Sequence, residues 1–365
     1  MRSSRVAAIV PSARLRVACL TRLERWKLAS GLWVCKLRLG TPIIPPVMMK
    51  AAYIRANSVT HALEILGDRW VLMLLQQAFF GVRRFDDFQR RLGLARSTLT
   101  HRLKHLVAHR ILERQALDAR DWRFEYRLTV KGRDLFNVAL MCERWQRHWA
   151  AGEGQPVLRL LHRDCGQVIE PVLVCATCGD PVHARDVSYC DGPGASWIVR
   201  EPRRRRRSSI DGPAPRKVQV SGELLELLGD RWTPQVAAVA FFGVRRFDEM
   251  RSSLQLATNI LSDRLKRLIE LGIFATRTYQ ERPRRLEYVL TGKGLALYPI
   301  MLTLMDWGDR WVANEAGPPL LLTHRPCGSR LVISVVCDHC GGPLLRDNVL
   351  PQFGPPPRST ERRFA

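Results

Sequence analysis

No apolar run in this chain of 365 residues approaches the roughly 18 residues of a membrane helix, so no span is expected. Acids are scarce: 34 Asp and Glu stand against 58 Lys and Arg, a formal net charge of +24. So basic a chain repels itself unless an acidic partner is at hand, and nucleic acid is the commonest one. Arginine favoured by a GC-rich genome is the plainer source of that charge, so composition alone puts nucleic acid only modestly ahead. The chain is long enough for two or three cores, unlike a small secreted domain stapled by disulfides. Its ten cysteines include Cys-x-x-Cys pairs, which fit metal or thiol chemistry in a reducing compartment. A cytoplasmic, nucleoid-associated protein is the expectation.

Residues 1–47 hold the lone acid Glu24 among Arg2, Arg5, Arg14, Arg16, Arg22, Arg25, Lys27, Lys36 and Arg38. The apolar patch Val6–Val10 ends at Pro11, too short for a good secretory signal. A transit-like segment or a DNA-contacting arm has this composition. A start at Met48 or Met49, leaving 1–47 as a disordered or mis-assigned basic extension, explains it more simply.

What is present is a repeat. Leu66-Gly-Asp-Arg-Trp70 returns as Leu228–Trp232, and Phe85 returns as Phe247, a constant offset of 162 residues (232 − 70). The offset holds through Leu103/Leu265, Tyr126/Tyr288, Trp145/Trp307, Cys165/Cys327 and Cys178/Cys340. A unit this long is a duplicated domain rather than a stacked array.

Each copy reads alike. Val59–Leu66 is a short amphipathic helix ended by Gly67. Asp68 caps a second helix running toward Phe79, and Asp230 is the matching cap, with Pro234 near the helix start. Phe85–Leu92, a turn at 93–95 and a helix over Arg96–Arg110 form a helix-turn-helix, with Leu99, Leu103 and Leu106 on the buried face. The period then falls to two in Phe124, Tyr126 and Leu128, opposite a strand over Ile111–Leu117. The hairpin tip is charged. Thr129 and Thr291 cap last helices over Lys131–Ala150 and Lys293–Asn314, apolar nearly all round, which calls for an inter-domain or inter-chain contact. The fold class expected is mainly α with small β-hairpins (α+β): tandem winged helix-turn-helix domains at 57–150 and 219–314. Cysteine modules follow at 156–185 and 318–349, with a linker at 186–217 and a disordered tail at 353–365.

Leu-Gly-Asp-Arg-Trp, Phe-Phe-Gly-Val-Arg-Arg-Phe-Asp, Leu-x-x-Arg-Leu-Lys-x-Leu and Glu-Tyr-x-Leu-Thr-x-x-Gly all occur twice, in order. In these motifs the chain resembles the HxlR-type winged-helix transcriptional regulators, related to the MarR group, over about 57–150 and 219–314. The resemblance implies a sequence-specific regulator, usually a homodimer that grips double-stranded DNA with recognition helix and wing. Several members of that family sense oxidants through a cysteine thirteen residues before the tryptophan. Asn57 and Gln219 stand there, so that thiol mechanism does not carry over. An effector, if there is one, is then a small molecule bound near the dimer helices.

Side chains at the start of the second helix of a helix-turn-helix face base edges. Here these are Arg96, Ser97, Thr100, His101 and Lys104, against Thr258, Asn259, Ser262, Asp263 and Lys266 in the second copy. The scaffold leucines are kept and the reading residues changed, which argues for an asymmetric operator. Wing residues Arg120 and Arg123, and Arg282, Arg284 and Arg285, suit phosphates or a narrow minor groove. A solvated basic helix face is the bland alternative for each. Arg83, Arg84, Arg245 and Arg246 fit ion pairs with Asp86, Asp87, Asp248 and Glu249 better than phosphate contacts, and Trp70 and Trp232 read as core.

His162-x-x-Cys165, nine residues, then Cys175-x-x-Cys178 recurs as His324-x-x-Cys327, nine residues, then Cys337-x-x-Cys340. Each set can converge on tetrahedral Zn²⁺ as Cys₃His within its own module, giving two structural zinc sites. A thiol switch and plain buried cysteines are the competing readings. His183 is not repeated, and Cys19, Cys35, Cys142 and Cys190 lack partners. No Glu or His general base recurs beside the cysteines, so a zinc or thiol enzyme is disfavoured and no catalytic residue is assigned. The expectation is a DNA-binding regulator, a repressor, with two winged helices in one chain acting as a pseudo-dimer. Dimerisation of whole chains through the last helix of each copy stays open, as does non-specific architectural binding of nucleic acid.

Overall fold

The computed structural model describes residues 25–27, 33–35, 53–55, 58–116, 124–149, 157–195, 197–199, 222–313 and 315–354. The chain divides into units 1–51 and 52–365. In the first unit, strands β1 (Arg25–Lys27) and β2 (Trp33–Cys35) pair antiparallel. The rest of the 1–47 extension lies outside the described residues.

The second unit begins with β3 (Tyr53–Arg55), followed by α1 (Ser58–Leu66), α2 (Arg69–Phe79), α3 (Phe85–Leu92) and α4 (Arg96–Ala108). Asp68 accepts hydrogen bonds from the N–H groups of Trp70 (3.0 Å) and Val71 (3.2 Å), satisfying donors that α2 cannot pair internally. Gly93 ends α3 in the left-handed region at φ 63°, where a side chain would be strained. Leu99, Leu103 and Leu106 then lock α4 into the core. The wing strands β4 (Leu112–Ala116) and β5 (Phe124–Leu128) pair antiparallel. Both faces of β5 are partly covered, because Glu125 turns inward toward Arg83 (3.9 Å) instead of facing solvent. Residues 117–123, with the expected wing contacts Arg120 and Arg123, are outside the described residues.

The last helix is two pieces, α5 (Val130–Arg133) and α6 (Phe136–Trp149), where the pattern suggested one. Buried Leu135 turns into the core at the break. Next come β6 (Val157–His162), β7 (Gln167–Ile169), β8 (Pro171–Cys175), β9 (Val187–Asp191) and β10 (Trp197–Val199). The second copy repeats the order as α7 (Gly222–Leu228), α8 (Thr233–Phe241), α9 (Phe247–Leu254), α10 (Thr258–Glu270), β11 (Phe274–Gln280), β12 (Arg285–Leu290), α11 (Gly292–Leu295) and α12 (Tyr298–Trp311). It ends in β13 (Leu320–His324), β14 (Ile333–Cys337) and β15 (Val349–Gly354). Helix α8 starts at Thr233, later than expected: Asp230 still accepts from the N–H groups of Trp232 and Thr233, while Pro234 fixes the first turn. The second copy repeats the break between α11 and α12, where Pro299 stands in the first turn of α12 and Asn137 at the matching place of α6, so the break does not depend on the proline.

The two copies are interleaved about an approximate two-fold axis. Strand β8 pairs antiparallel with β14, so Leu173 lies opposite Val335, its own duplicate. Strand β6 pairs with β15, and β13 with β9, each sheet taking strands from both copies. Trp145 Nε1 donates to Lys293 O at 3.2 Å, and its duplicate Trp307 Nε1 donates to Lys131 O at 3.0 Å. The lysines return the contact, Lys293 Nζ lying 5.5 Å from the Trp145 ring centroid and Lys131 Nζ 5.3 Å from that of Trp307. Such reciprocal contacts define an isologous interface. Much of the apolar surface of α6 and α12 is thereby covered within the chain, where these helices pack together, while Trp149 and Trp311 near their ends stay exposed.

Two boundaries read from composition move. Residues 187–191, assigned to the 186–217 linker, are a strand with Val187 buried, paired with residues 320–324. Residues 353 and 354, assigned to the tail, close β15. In both cases the partner strand is remote in sequence, so nothing local marks the pairing.

Candidate nucleic-acid interface and metal centres

Helices α4 and α10 each carry their expected reading residues on the side away from the leucines. Arg96, Ser97, His101 and Lys104 are exposed and Thr100 is half-buried; Thr258, Asn259, Ser262, Asp263 and Lys266 are all exposed. Some already have protein partners. Arg96 lies 5.1 Å from the Phe85 ring centroid and 3.9 Å from Asp86. Asp263 pairs with Arg264, and Lys266 reaches Glu270 at 4.0 Å. At the second wing, Arg282, Arg284 and Arg285 are exposed at the β11–β12 tip.

A residue that the sequence reading passed over sets the pose of each recognition helix. Arg102 on α4 meets Asp68 at 2.7 Å, and its duplicate Arg264 on α10 meets Asp230 at 2.7 Å. One carboxylate therefore serves the start of one helix and anchors the next. The signal was in the repeat, since Leu-Gly-Asp-Arg-Trp and the arginine of Leu-x-x-Arg-Leu-Lys recur together. The Arg83–Arg84 and Arg245–Arg246 segments are structural, but they engage the wings rather than Asp86, Asp87 or Asp248. Arg83 O accepts from Tyr126 N and Arg245 O from Tyr288 N, both at 2.8 Å. Of the expected acids only Glu249 takes part, accepting from the backbone N–H of Arg246 at 3.2 Å. Trp70 and Trp232 are half-buried against the core, under Arg69 and Arg231.

The cysteine residues come together, but in a different partition from the one expected. His162 and Cys165 of the first copy meet Cys337 and Cys340 of the second; Cys175 and Cys178 meet His324 and Cys327. The antiparallel pairing of β8 with β14 carries each Cys-x-x-Cys turn across the axis to the other copy's His-x-x-Cys turn. The expectation is that each set converges within its own module; instead the strand between its ligand pairs is paired with its duplicate.

The geometry fits a tetrahedral ion. Sulfurs at 2.3 Å from a tetrahedral centre would stand about 3.8 Å apart. Cys165 and Cys337 Sγ are 3.9 Å apart, as are Cys175 and Cys327 Sγ, far beyond disulfide length. Cys165 and Cys340 Sγ both lie 3.4 Å from His162 Nδ1, and Cys178 and Cys327 Sγ both lie 3.4 Å from His324 Nδ1. Backbone N–H groups of His339 and Cys340 point at Cys337 Sγ at 3.4 and 3.5 Å. The N–H of Gly342 draws the Cys340 thiol below its ordinary pKa. At Cys175 burial pushes the thiol up, and the N–H groups of Cys178 and Thr177 with neighbouring sulfurs outweigh it. Both rings are fully buried; Nε2 of His162 lies 3.2 Å from Asp164 without hydrogen-bond geometry, and Nε2 of His324 has no hydrogen-bond partner either. These residues could hold Zn²⁺ in both clusters. Elsewhere, Cys142 is half-buried with its thiol pushed up to about 12 by burial, and Cys190 is exposed. Cys19, Asn57 and Gln219 are outside the described residues.

Comparison with known proteins agrees with the motifs. A family model described as HxlR-like helix-turn-helix matches residues 65–153 and 227–316. A Mycobacterium tuberculosis protein named as an uncharacterized HTH-type transcriptional regulator is 42% identical over 134 residues, 37% of this chain and 85% of the relative. The HTH-type transcriptional regulator YodB of Bacillus subtilis is 31% identical over 86 residues, 23% of this chain and 77% of YodB. The crystal structure of diamide-treated YodB is 28% identical, covering 26% of this chain and 94% of that one, with a TM-score of 0.23.

Proposed function

Since the chain belongs to the HxlR-like helix-turn-helix family, we propose that this DNA-binding transcriptional regulator is a repressor whose two winged helices grip one asymmetric operator. The observation that carries the reading is the reciprocal packing of the copies, Trp145 on Lys293 and Trp307 on Lys131. A dimeric regulator presents two recognition helices through an isologous interface, and here one chain supplies both sides. A second chain is not required, and the last helices already cover each other. The reading residues differ between the copies, Ser97 against Asn259 and His101 against Asp263, so the half-sites differ in sequence.

The two Cys₃His clusters supply the second part of the proposal. Each would hold a structural Zn²⁺ whose ligands come from both copies, joining the halves without catalytic work. Four protein ligands, three thiolates and one imidazole, are the donor set of a closed structural site.

Sedimentation of the free protein and of its complex with DNA selected from a random pool tests the reading. One chain per duplex is expected, with affinity for the selected site at least about 10³-fold above random DNA at physiological salt. A ratio well below that value favours an architectural binder. Four winged helices per complex refutes the one-chain clamp.

A further inference from the structure

A cavity of about 150 Å³ lies between α2 and α6 of the first copy, closed by α7 and by the β6–β15 sheet. Its origin is a departure from the two-fold symmetry. Helix α1 lies directly on α12 at Gly308, where a Cβ would come within 2.4 Å of Ser58 O. The matching residue of α6 is Gln146, too large for the same approach by α7, and Leu224 and Leu228 of α7 face the space that remains. The duplicate positions are filled differently: Ala139 and Glu143 on the wall of the cavity correspond to buried Met301 and Met305. Pro351 corresponds to Tyr189, which packs edge-on against Phe242 with centroids 4.8 Å apart.

The wall is apolar except for Gln76, Glu143, Gln146 and Arg346. Glu143 is 7% exposed. Gln146 Nε2 donates to its Oε2 at 2.6 Å, and Arg147 lies 3.8 Å from its Oε1. The cation on the wall, Arg346, donates to Phe79 O at 2.7 Å. Burial nevertheless holds the Glu143 carboxyl up at about 7, against the pull of Gln146 and Arg147, so its charge is under-compensated. An apolar cavity of roughly this volume takes up a single aromatic ring.

We propose that this cavity is a binding site for one small apolar amine, of about one-ring size, whose ammonium group pairs with Glu143. One chain then binds one ligand of this size. At the matching place of the second copy Leu302, Met305, Leu320 and Leu322 stand for Leu140, Glu143, Leu158 and Leu160, and the cavity shrinks to about 50 Å³ with Met305 in place of the acid. Helix α2 forms one wall, and its cap Asp68 holds Arg102 of the recognition helix, so occupancy would bear on the DNA-reading face. That coupling rests on the function proposed above, whereas binding itself does not.

Calorimetry of the full chain with benzylamine, and with toluene as the uncharged control, tests the site. The variants are Ala139→Met and Glu143→Met, each the residue that the second copy already accommodates at the matching position. Folding is checked by circular dichroism and thermal unfolding. The expected result is a single benzylamine site, abolished in A139M and weakened about tenfold or more in E143M, the scale of a charge-assisted hydrogen bond. Toluene should discriminate little between wild type and E143M. No binding to a folded wild-type chain overturns the proposal, and so does undiminished binding to folded A139M. Equal affinity of wild type and E143M for benzylamine overturns the role of the acid. DNA affinity, measured separately, stays intact if only the cavity reading is wrong; benzylamine binding stays intact if only the DNA reading is wrong.

Discussion

Replacing Cys165 with Ser removes one ligand from a cluster whose other members are His162, Cys337 and Cys340. The cross-copy partition makes a specific statement about which thiols then become reactive. Cys337 and Cys340, 172 residues and more away in sequence, should lose protection. Cys175 and Cys178, only about ten residues away, should keep it, because their partners are His324 and Cys327. Residue-resolved alkylation followed by mass spectrometry reads this out, alongside a fall from two zinc equivalents to one. The stability cost follows from loop closure. With the second cluster intact, the loop closed by the first runs only through Cys165–Cys175 and Cys327–Cys337, about 20 residues. By the chain-entropy account of a cross-link this is worth about 3 kcal/mol. Breaking both clusters releases a loop of 152 residues or more, worth about 5 kcal/mol in addition. The double variant C165S/C327S should therefore lose about 8 kcal/mol in a denaturant titration, more than the roughly 6 of two independent single losses. Exposure of Cys175 and Cys178 in C165S, with Cys337 and Cys340 still protected, would refute the exchange and restore two self-contained modules.

Asp68→Asn leaves the α2 cap largely intact and removes the charge that meets Arg102; a loss of about 1 kcal/mol is expected at this partly exposed pair, rising to about 2 in D68A, where the cap goes too. A double-mutant cycle with Arg102→Ala should give a coupling energy, and additive losses would dismiss the pair. Glu143 binds its proton more tightly when folded, so between about pH 4.5 and 7 the folded state holds more protons and stability falls as pH rises. The full effect is of order 3 kcal/mol, and the stability difference between E143Q and wild type should grow in favour of the variant over that window. An unchanged difference would mean that the acid is solvated. If roughly 6–10 phosphates are neutralised, affinity for DNA should drop about 10³–10⁵-fold between 50 and 200 mM salt; a flat response contradicts the interface. Deleting residues 1–47 should leave DNA affinity unchanged in a mobility-shift titration, and a large loss would assign that segment to the interface.

Much of the fold was legible because the two copies agree. Asp68 with its following helix, the buried Leu99-Leu103-Leu106 line and the wing alternation are local patterns, and the duplication supplied a second reading of each. The eight metal-site residues were legible for the same reason. Their partition was not: spacing within a chain says which residues can be ligands, and the register of β8 on β14 decides which ones meet. Arg102 was hidden because nothing local distinguishes a helix arginine that reaches an N-cap carboxylate from one that faces solvent. Glu143 was hidden in a helix that looked apolar, where a single acid reads as an interruption of the pattern. The strand at 187–191 and the end of β15 escaped because their hydrogen-bond partners lie more than a hundred residues away.

The exchange of ligands between the copies also sets an order in time. A ribosome adding about 5–20 residues per second needs on the order of 10–30 s to go from Cys165 to Cys337, which lie 172 residues apart. For most of that interval, from Cys178 to His324, all four residues of the first copy have been made and none of their complements has. If the clusters hold zinc as proposed, the nascent first half emerges with Cys165, Cys175 and Cys178 short of their cross-copy partners, and neither cluster can be completed until the second half is translated. Synthesis, rather than the finished molecule, is the stage at which oxidants or stray metal ions would find this protein open.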